Sequence, residues 1–596
     1  MKYDAKQLKE MSRVVRSHAL GALRAAGNGH VGIVLGAADI VTTLFANFVR
    51  PGTDRFVLSA GHGSALLYSV LSLVGYDLPS LDSFRQLGGL PGHPEYGIDG
   101  VAATTGPLGQ GVGNAVGIAM GLKIRNRAGR VYCLCSDGDL MEGVANESIA
   151  MAGRYALDNL VLLWDDNGVS IDGAAQSEMN VPQRMAAAGW AVILAQGNNF
   201  RSLDLALERA AVMKQPVFIQ CKTTIGLDSS RAGTPAAHGL ALDAAEMDTL
   251  CARFASPAGE KLWAQIRRRG VRRAEEKPCI DAGAVPAVDV PRVDATNIST
   301  RELSGMYLEK LSRAIPCLIG GSADLAASTN AKTPAHRDIV SMDFNGSFIN
   351  YGIREHAMGA IMNGMATVGL RPYGSTFLVF SDYLRPSIRL AALSGLPVIY
   401  LFTHDSIAVG PDGPTHQPVE QLPSLRLIPN LNVFRPCNMT EVVYSWRTAL
   451  GDVARPSCLI LSRQKFEQIP TPDDADVTRG GYVIYGPRRR VRVTLIATGG
   501  EVPLAVAAAK KIPGCRVVSM PNVAAFRAQD TEYRRRILQG RVISIEAAST
   551  APWLEFADAA IGIDSFGASG PGADVYRHFG FDADAIVHEI QKHMKQ

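Results

Sequence analysis

Along this chain, short uninterrupted apolar runs alternate with longer stretches whose apolar positions recur at helical spacing. Residues 131–135 (VYCLC) read as a strand buried on both faces, 142–155 (EGVANESIAMAGRY) as a helix, and 159–164 (NLVLLW) as the next strand. A further apolar run at 217–221 (VFIQC) predicts another strand, followed by a helical stretch over 239–254. Wholly apolar strands separated by helices are the pattern of a parallel sheet covered by crossover helices. The rhythm lapses over 265–296, which is rich in charge, Pro and Ala and reads as a linker. It resumes near Arg301, with predicted strands at 317–320 (CLIG), 397–402 (PVIYLF) and 458–461 (CLIL). After TPDDAD at 471–476 a third region begins, with strands at 492–497 (RVTLIA), 515–519 (CRVVS) and 541–545 (RVISI). The fold class expected is α/β, built as three consecutive α/β domains. Their expected bounds are 1–265, a linker at 266–296, 297–470, and a smaller C-terminal domain at 471–596.

Length agrees with that division, since 596 residues allow about three or four domains. With 47% hydrophobic and 19% charged residues, a largely disordered chain is excluded. Glycine is abundant, 59 of 596, without a collagen period, which points to tight turns and close backbone approaches. The net charge is only +4, and the basic runs at 267–269, 488–490 and 534–536 are separated, with no interleaved aromatics. They read as solvated faces, so no nucleic-acid partner is expected. Nine scattered cysteines without a CxxC fit free thiols in a reducing compartment. The charged N-terminus MKYDAKQLKE is unlike a signal peptide, and no apolar run approaches the ~18 residues that span a bilayer. No membrane contact and a cytoplasmic location are therefore expected.

Two predicted strand ends carry the sharpest candidate chemistry. Ser136-Asp137-Gly138 follows one strand and Asp165-Asp166-Asn167-Gly168 the next, one strand–helix–strand unit later. Parallel neighbours place Asp137 and Asn167 at the same carboxyl edge, where open α/β sheets bind ligands. One carboxylate and one amide oxygen suit Mg2+, which completes its octahedron with phosphate oxygens and water; simple turn capping is the alternative. The loop TTGPLGQG at 104–111 allows a backbone to pass close to a ligand, although a tight turn would use the same residues. Four of the twelve histidines, His30, His62, His93 and His238, adjoin glycine and lack zinc-site spacing, and they read as hydrogen-bond donors to a polar substrate. In the second region Arg354-Glu355-His356 precedes an apolar helix. Phe377, Phe380 and Tyr383 recur every third residue, which would set them on one helical face, with core packing as the bland reading. Arg301 and Arg463 are candidate phosphate forks or surface ion pairs.

Together these segments resemble the transketolases, a thiamine-diphosphate-dependent family, over nearly the whole chain. The resemblance runs through GHV at 29–31, GHGS at 61–64, GHPE at 92–95, TTGPLGQG at 104–111, DGDLMEG at 137–143 and DDNGVSIDG at 166–173. It continues with GGSADLA at 320–326, YGIREHAM at 351–358, STFLVF at 375–380, THDSIAVGPDGPTHQPVEQ at 403–421 and LSRQ at 461–464. It implies a diphosphate-binding domain, a pyrimidine-binding domain and a C-terminal domain. It also implies a homodimer whose active sites lie at the subunit interface, and a place in the pentose phosphate pathway. The implied metal ligands are Asp137, Asn167 and the carbonyl of Val169, holding Mg2+ (Ca2+ or Mn2+ being possible substitutes). The implied thiamine diphosphate site comprises His62, Gly106, Leu108, Gly138, Asn167, His238, Asp324, Glu355, Phe377, Phe380 and Tyr383.

In such an enzyme Glu355 hydrogen-bonds the cofactor's pyrimidine ring and promotes loss of the thiazolium proton. A two-carbon ketol unit then passes from a ketose phosphate such as xylulose 5-phosphate to an aldose phosphate such as ribose 5-phosphate. The resemblance gives His93 and His416 the donor carbonyl and hydroxyls, and His30 and His238 the acceptor aldehyde. Asp412 takes a substrate hydroxyl, and Arg301, Ser328, His404 and Arg463 the terminal phosphate of sugar phosphate substrates. The sequence departs from the family pattern at Ser136 (a glycine elsewhere, so the diphosphate is expected to be crowded), Val31 and Ala327 (prolines) and Pro411 (acidic). The stretch between His238 and Arg301 is also short. The alternatives are a specialised ketol transferase using formaldehyde, a branched sugar or a sulfosugar; a deoxyxylulose-phosphate synthase; and a catalytically silent relative. Glu355, Asp137 and Asn167 speak against the last, since all three are present.

Overall fold

The computed structural model describes residues 2–175, 180–239, 243–271, 278–293 and 296–595. The chain forms two compact units, the first comprising Met1–Lys277, Val340–Asn345 and Ala360–Gly369, the second Pro278–Ile339, Gly346–Gly359 and Leu370–Gln596.

The first unit is built on five parallel strands: β1 (Arg55–Leu58), β2 (Val131–Ser136), β3 (Leu160–Asp166), β4 (Ala191–Gln196) and β5 (Val217–Lys222), in the order β1-β2-β3-β5-β4. β3 is buried along its whole length, as expected for a strand covered on both faces. β2 and β3 run in register, with Ser136 opposite Asp165, so Asp137 and Asn167 leave the sheet at one edge. The helices Ala5–Ala26, Val31–Thr43 and Ser64–Val74 share a core with these strands. The segment Val31–Phe48 is long and apolar enough to span a bilayer, contrary to the expectation that no such run exists. It is 83% buried inside this unit, which explains its composition as that of a core helix. The helix Gln110–Ile124 meets the segment Ala360–Gly369 backbone to backbone, since a Cβ on Gly117 would stand 2.0 Å from the carbonyl oxygen of Ile361.

The second unit opens with a two-residue strand, β6 (Asn297–Ile298), and holds two larger sheets. The first contains β7 (Leu318–Ser322), β8 (Phe348–Asn350), β9 (Arg371–Phe377), β10 (Ile399–Thr403), β11 (Asn432–Phe434) and β12 (Ser457–Leu461). These six are parallel, in the order β11-β12-β10-β9-β7-β8. β13 (Phe466–Glu467) pairs antiparallel with β6. The last sheet has β14 (Tyr482–Tyr485), β15 (Val493–Ala497), β16 (Cys515–Ser519), β17 (Arg541–Ile545) and β18 (Ala559–Ile561) in the order β14-β16-β15-β17-β18, with β14 antiparallel at the edge. The α/β class and the succession of three sheets agree with the apolar pattern.

Two expectations need correction. Phe377, Phe380 and Tyr383 do not share one helical face: Phe377 ends β9, Phe380 ends a 3-10 turn, and Tyr383 lies in the first turn of the helix Ser381–Leu393. Nor are all the cysteines free, because Cys279 is bonded to Cys317. Part of the expected linker is thus pinned beside the start of β7, and Ile280 is buried in the same core as Leu318. A pairing across 38 residues leaves no spacing signature to read. Of the expected linker, 266 and 267 still belong to the helix Pro257–Arg267 and 278–293 forms no helix or strand, while 272–277 and 294–295 lie outside the described residues.

Candidate active site

In the first unit the carboxyl ends of β1, β2 and β3 converge on one polar cluster. Ser136 caps the short helix Asp137–Met141, accepting from the Asp139 amide, while its hydroxyl donates to Asp139 Oδ2 at 2.9 Å. The serine that departs from the family pattern is therefore spent on its own helix cap. Asp139, fully buried, also accepts from Ser59 Oγ at 2.6 Å and from the Gly109 amide at 2.8 Å. It ties the ends of β1 and β2 to the glycine loop. That loop needs its glycine at Gly106, where φ is +138° and a Cβ would press on the His93 ring at 3.3 Å. Leu108 lies over Gly138, whose added Cβ would stand 2.9 Å from Leu108 Cδ1.

Asp137 lies beside Asp139 but is left unsatisfied. Its Oδ2 is buried with no hydrogen-bond partner, and burial, followed by the charges of Asp166 and Asp165, pushes the carboxyl up to about 7. An orphaned buried carboxylate oxygen is the environment a cation would relieve. Asn167 Oδ1 accepts from the Val169 amide at 3.0 Å, folding the two residues into a turn beyond β3. The Asp137 carboxylate, the Asn167 amide oxygen and the Val169 carbonyl, brought to one sheet edge, are hard oxygen donors of the kind that would suit Mg2+. Among the described residues no cluster of three or more His, Cys, Asp or Glu offers a competing metal site.

The four glycine-flanked histidines gather in this same unit. Ring centroids lie 5.3 Å apart for His30–His62, 6.2 Å for His30–His93, 5.8 Å for His30–His238 and 5.2 Å for His62–His238. Burial, then the charges of Arg85 and the neighbouring imidazoles, lowers His30 to about 4. His62 falls to about 3 from burial and its histidine neighbours, and His93 and His238 are also lowered, chiefly by burial. The cluster is neutral at physiological pH and offers N–H donors and nitrogen acceptors to a hydroxylated substrate.

The second unit gathers the remaining candidates. Glu355 opens the helix Glu355–Thr367, is buried, and accepts from Thr376 Oγ1 at 3.2 Å. Burial raises its pKa, as suits a carboxyl that holds a proton against a heteroaromatic ring. Phe377 stacks on the His404 ring at 3.6 Å and on Phe380 at 5.9 Å, Phe380 meets His416 at 5.3 Å, and Tyr383 closes the row. Tyr383 is 64% exposed. Arg301 Nη1 donates to the Ser328 carbonyl, and the Arg301, Arg463 and His416 charges act on His404. Burial first, then Arg463, lowers Arg301 itself. Arg301, Arg463 and His416 thus lie near enough to His404 for their charges to help burial hold it neutral, Arg301 is tied to Ser328, and Asp412 and Asp324 are exposed on loops of the same unit.

Comparison with known proteins decides the family. Residues 7–262 match the model "Transketolase, thiamine diphosphate binding domain", 296–468 "Transketolase, pyrimidine binding domain" and 480–582 "Transketolase-like TK C-terminal domain". The chain belongs to the transketolase family. A transketolase of Sinorhizobium medicae is 41% identical over 98% of this chain and 93% of its own, and one of Cereibacter sphaeroides 40% identical over 98% of both. The solved transketolase of Leishmania mexicana superposes with a TM-score of 0.92 at 34% identity, covering 100% of this chain and 98% of its own. That of Pichia stipitis, solved with sedoheptulose 7-phosphate, gives 0.91 at 34%, covering 99% and 98%. As a transketolase the chain takes thiamine diphosphate as cofactor.

Two residues in this transketolase's polar clusters escaped the sequence reading. Asp139 carries no reading of its own in the sequence, although its spacing three residues after Ser136 is a capping signature. Arg85 reaches Asn28 Oδ1 and lies 3.4 Å from His30 Nδ1, in a loop whose only signal was its glycines.

Proposed function

We propose that this protein transfers a two-carbon ketol unit from a ketose phosphate such as xylulose 5-phosphate to an aldose phosphate such as ribose 5-phosphate, within the pentose phosphate pathway of the cytoplasm. The observation that carries the substrate class is the convergence of Arg301, Ser328, His404 and Arg463, a set of donors suited to a terminal phosphate. Thiamine diphosphate, when bound, supplies the nucleophilic carbon that takes up and releases the ketol unit.

The protein's own part is positioning, polarity and proton placement. Asp137, Asn167 and the Val169 carbonyl hold the metal on the diphosphate, while Gly106, Leu108 and Gly138 keep the loop backbone close to it. His62 lines the same site with His238. Phe377, Phe380 and Tyr383 pack the pyrimidine ring, Asp324 approaches it, and Glu355 holds a proton at its ring nitrogen. His93 and His416 orient the donor sugar, His30 and His238 the acceptor aldehyde, and Asp412 a hydroxyl. Neutral imidazoles suit this task because they can both give and accept a proton.

The working form in this reading is a homodimer, each thiamine diphosphate lying between the first domain of one protomer and the second of its partner. The domains fall at 1–265, 297–470 and 471–596.

The test is an assay of the purified protein with thiamine diphosphate, Mg2+, xylulose 5-phosphate and ribose 5-phosphate. Formation of sedoheptulose 7-phosphate and glyceraldehyde 3-phosphate is expected. Cofactor binding without transfer among common sugar phosphates would overturn the reading. Sedimentation of the loaded enzyme tests the dimer.

A further inference from the structure

β10 ends in Thr403-His404-Asp405-Ser406, and the turn is unusual. His404 has a left-handed backbone, φ +60°, although it is not glycine, and its ring lies flat on Phe377. A non-glycine residue stays in that region only where its surroundings hold it there. The neighbouring side chains do the holding. Asp405 Oδ2 accepts from Arg435 Nε at 3.0 Å and lies 2.9 Å from Nη2. Arg435 is 1% exposed, Asp405 2% and Glu501 0%, so each charge depends on the others for compensation.

The other side of Arg435 belongs wholly to the C-terminal sheet. Its Nη1 donates to Thr498 Oγ1 at 2.9 Å and to Glu501 Oε2, just beyond the end of β15. Thr498 in turn donates to Glu546 at the end of β17, which Arg426 grips through both its oxygens at 2.7 and 2.8 Å. Gly499, φ +50°, makes room: a Cβ there would stand 3.0 Å from Arg435 Nε. A second arm reaches the same turn. The Tyr576 hydroxyl lies 2.7 Å from Glu501 Oε1 and 2.8 Å from Ser406 Oγ, and Ser406 also accepts from Gln464 Nε2 at 3.3 Å. Gln464 is the neighbour of Arg463, so both phosphate-facing residues are flanked by contacts into this one network.

We infer that the C-terminal domain sets the affinity of the sugar-phosphate pocket, with Arg435, Glu501 and Tyr576 as positioning residues that hold the His404 turn and the Arg463 segment. This rests on the reading that Arg301, Ser328, His404 and Arg463 receive the phosphate. None of the three belongs to that set; they act through Asp405, Ser406 and Gln464.

Tyr576→Phe and Glu501→Gln test it in the full-length enzyme loaded with thiamine diphosphate and Mg2+. KM and kcat are measured with ribose 5-phosphate and, with the same donor, with glycolaldehyde, an acceptor that lacks a phosphate. Each variant is expected to raise KM for ribose 5-phosphate about five- to tenfold, the worth of one ordinary hydrogen bond. kcat and the glycolaldehyde KM should stay within about twofold. Unchanged KM for ribose 5-phosphate in Tyr576→Phe overturns the proposal, as does an equal rise for both acceptors. Should Glu501→Gln fail to fold, Tyr576→Phe still decides, because it removes one hydroxyl and keeps the ring. Arg463→Ala, run beside them, separates the two failures. If it erases the preference for the phosphorylated acceptor while the positioning variants do not, only the network is wrong. If it leaves the preference intact, the phosphate-pocket reading falls and the proposal with it.

Discussion

Single side chains in this protein are defined by what surrounds them more than by their own chemistry. Glu355 is an ordinary carboxyl made basic by burial at the head of a helix, with Thr376 as its hydrogen-bond partner. Replacing it by Ala should lower kcat by about a thousandfold or more, the scale of lost proton placement, while Mg2+-dependent binding of thiamine diphosphate persists by calorimetry. Unchanged turnover would refute its role. Ser136 gives the opposite kind of prediction. Because its hydroxyl is engaged by Asp139, Ser136→Gly should leave cofactor affinity within about twofold and cost a few tenths of a kcal/mol in a thermal melt. Tighter cofactor binding in the variant would show that the hydroxyl does crowd the diphosphate. Site residues in glycine-flanked segments were legible because short, polar, turn-rich sequence has little other use. Asp139 and Arg435 were not, because a buried charge is recognised only when its partners arrive from distant segments.

At the level of elements, legibility followed burial. Every strand read from the apolar pattern is present, including β2, β3, β10, β12, β15, β16 and β17, since central parallel strands are apolar on both faces. The strands that went unread are mostly short ones, such as β1, β8, β11 and β18. β9 escaped for a different reason: Arg371 and Pro372 stand within it, and its last residue, Phe377, starts an aromatic spacing that imitates a helical period, although the strand is buried throughout. Arg371 is satisfied there by the carbonyls of Pro397 and Asp452, which no local pattern announces.

For the whole molecule, the buried charges at the C-terminal sheet predict an acid limit. Burial alone would raise Glu546, but Arg426, with help from Arg435 and Thr498, more than offsets this and holds it at about 2, below its ordinary value of 4.5. The folded state therefore binds this proton less readily than the unfolded one. The stabilisation is complete above about pH 4.5, is lost as pH falls toward 2, and is of the order of 3 kcal/mol. Urea midpoints of the parent and of Glu546→Gln should differ widely at pH 6, and the gap should narrow progressively below pH 4.5 and close only toward pH 2; a constant gap would rule this out.

The thiamine diphosphate binding match over 7–262 ends just before the linker, yet the first unit does not end there. It takes back Val340–Asn345 and Ala360–Gly369 from beyond the linker, and Gly117 is shaped to receive Ile361 at backbone distance. Gene and molecule are thus divided at different places. A fragment ending at residue 277 would leave the glycine face of the helix Gln110–Ile124 bare, and should be recovered in soluble form only when co-expressed with residues 278–596. On that expectation the protein would act as a split reporter does, its two pieces legible as separate domains in the coding sequence but folding only together.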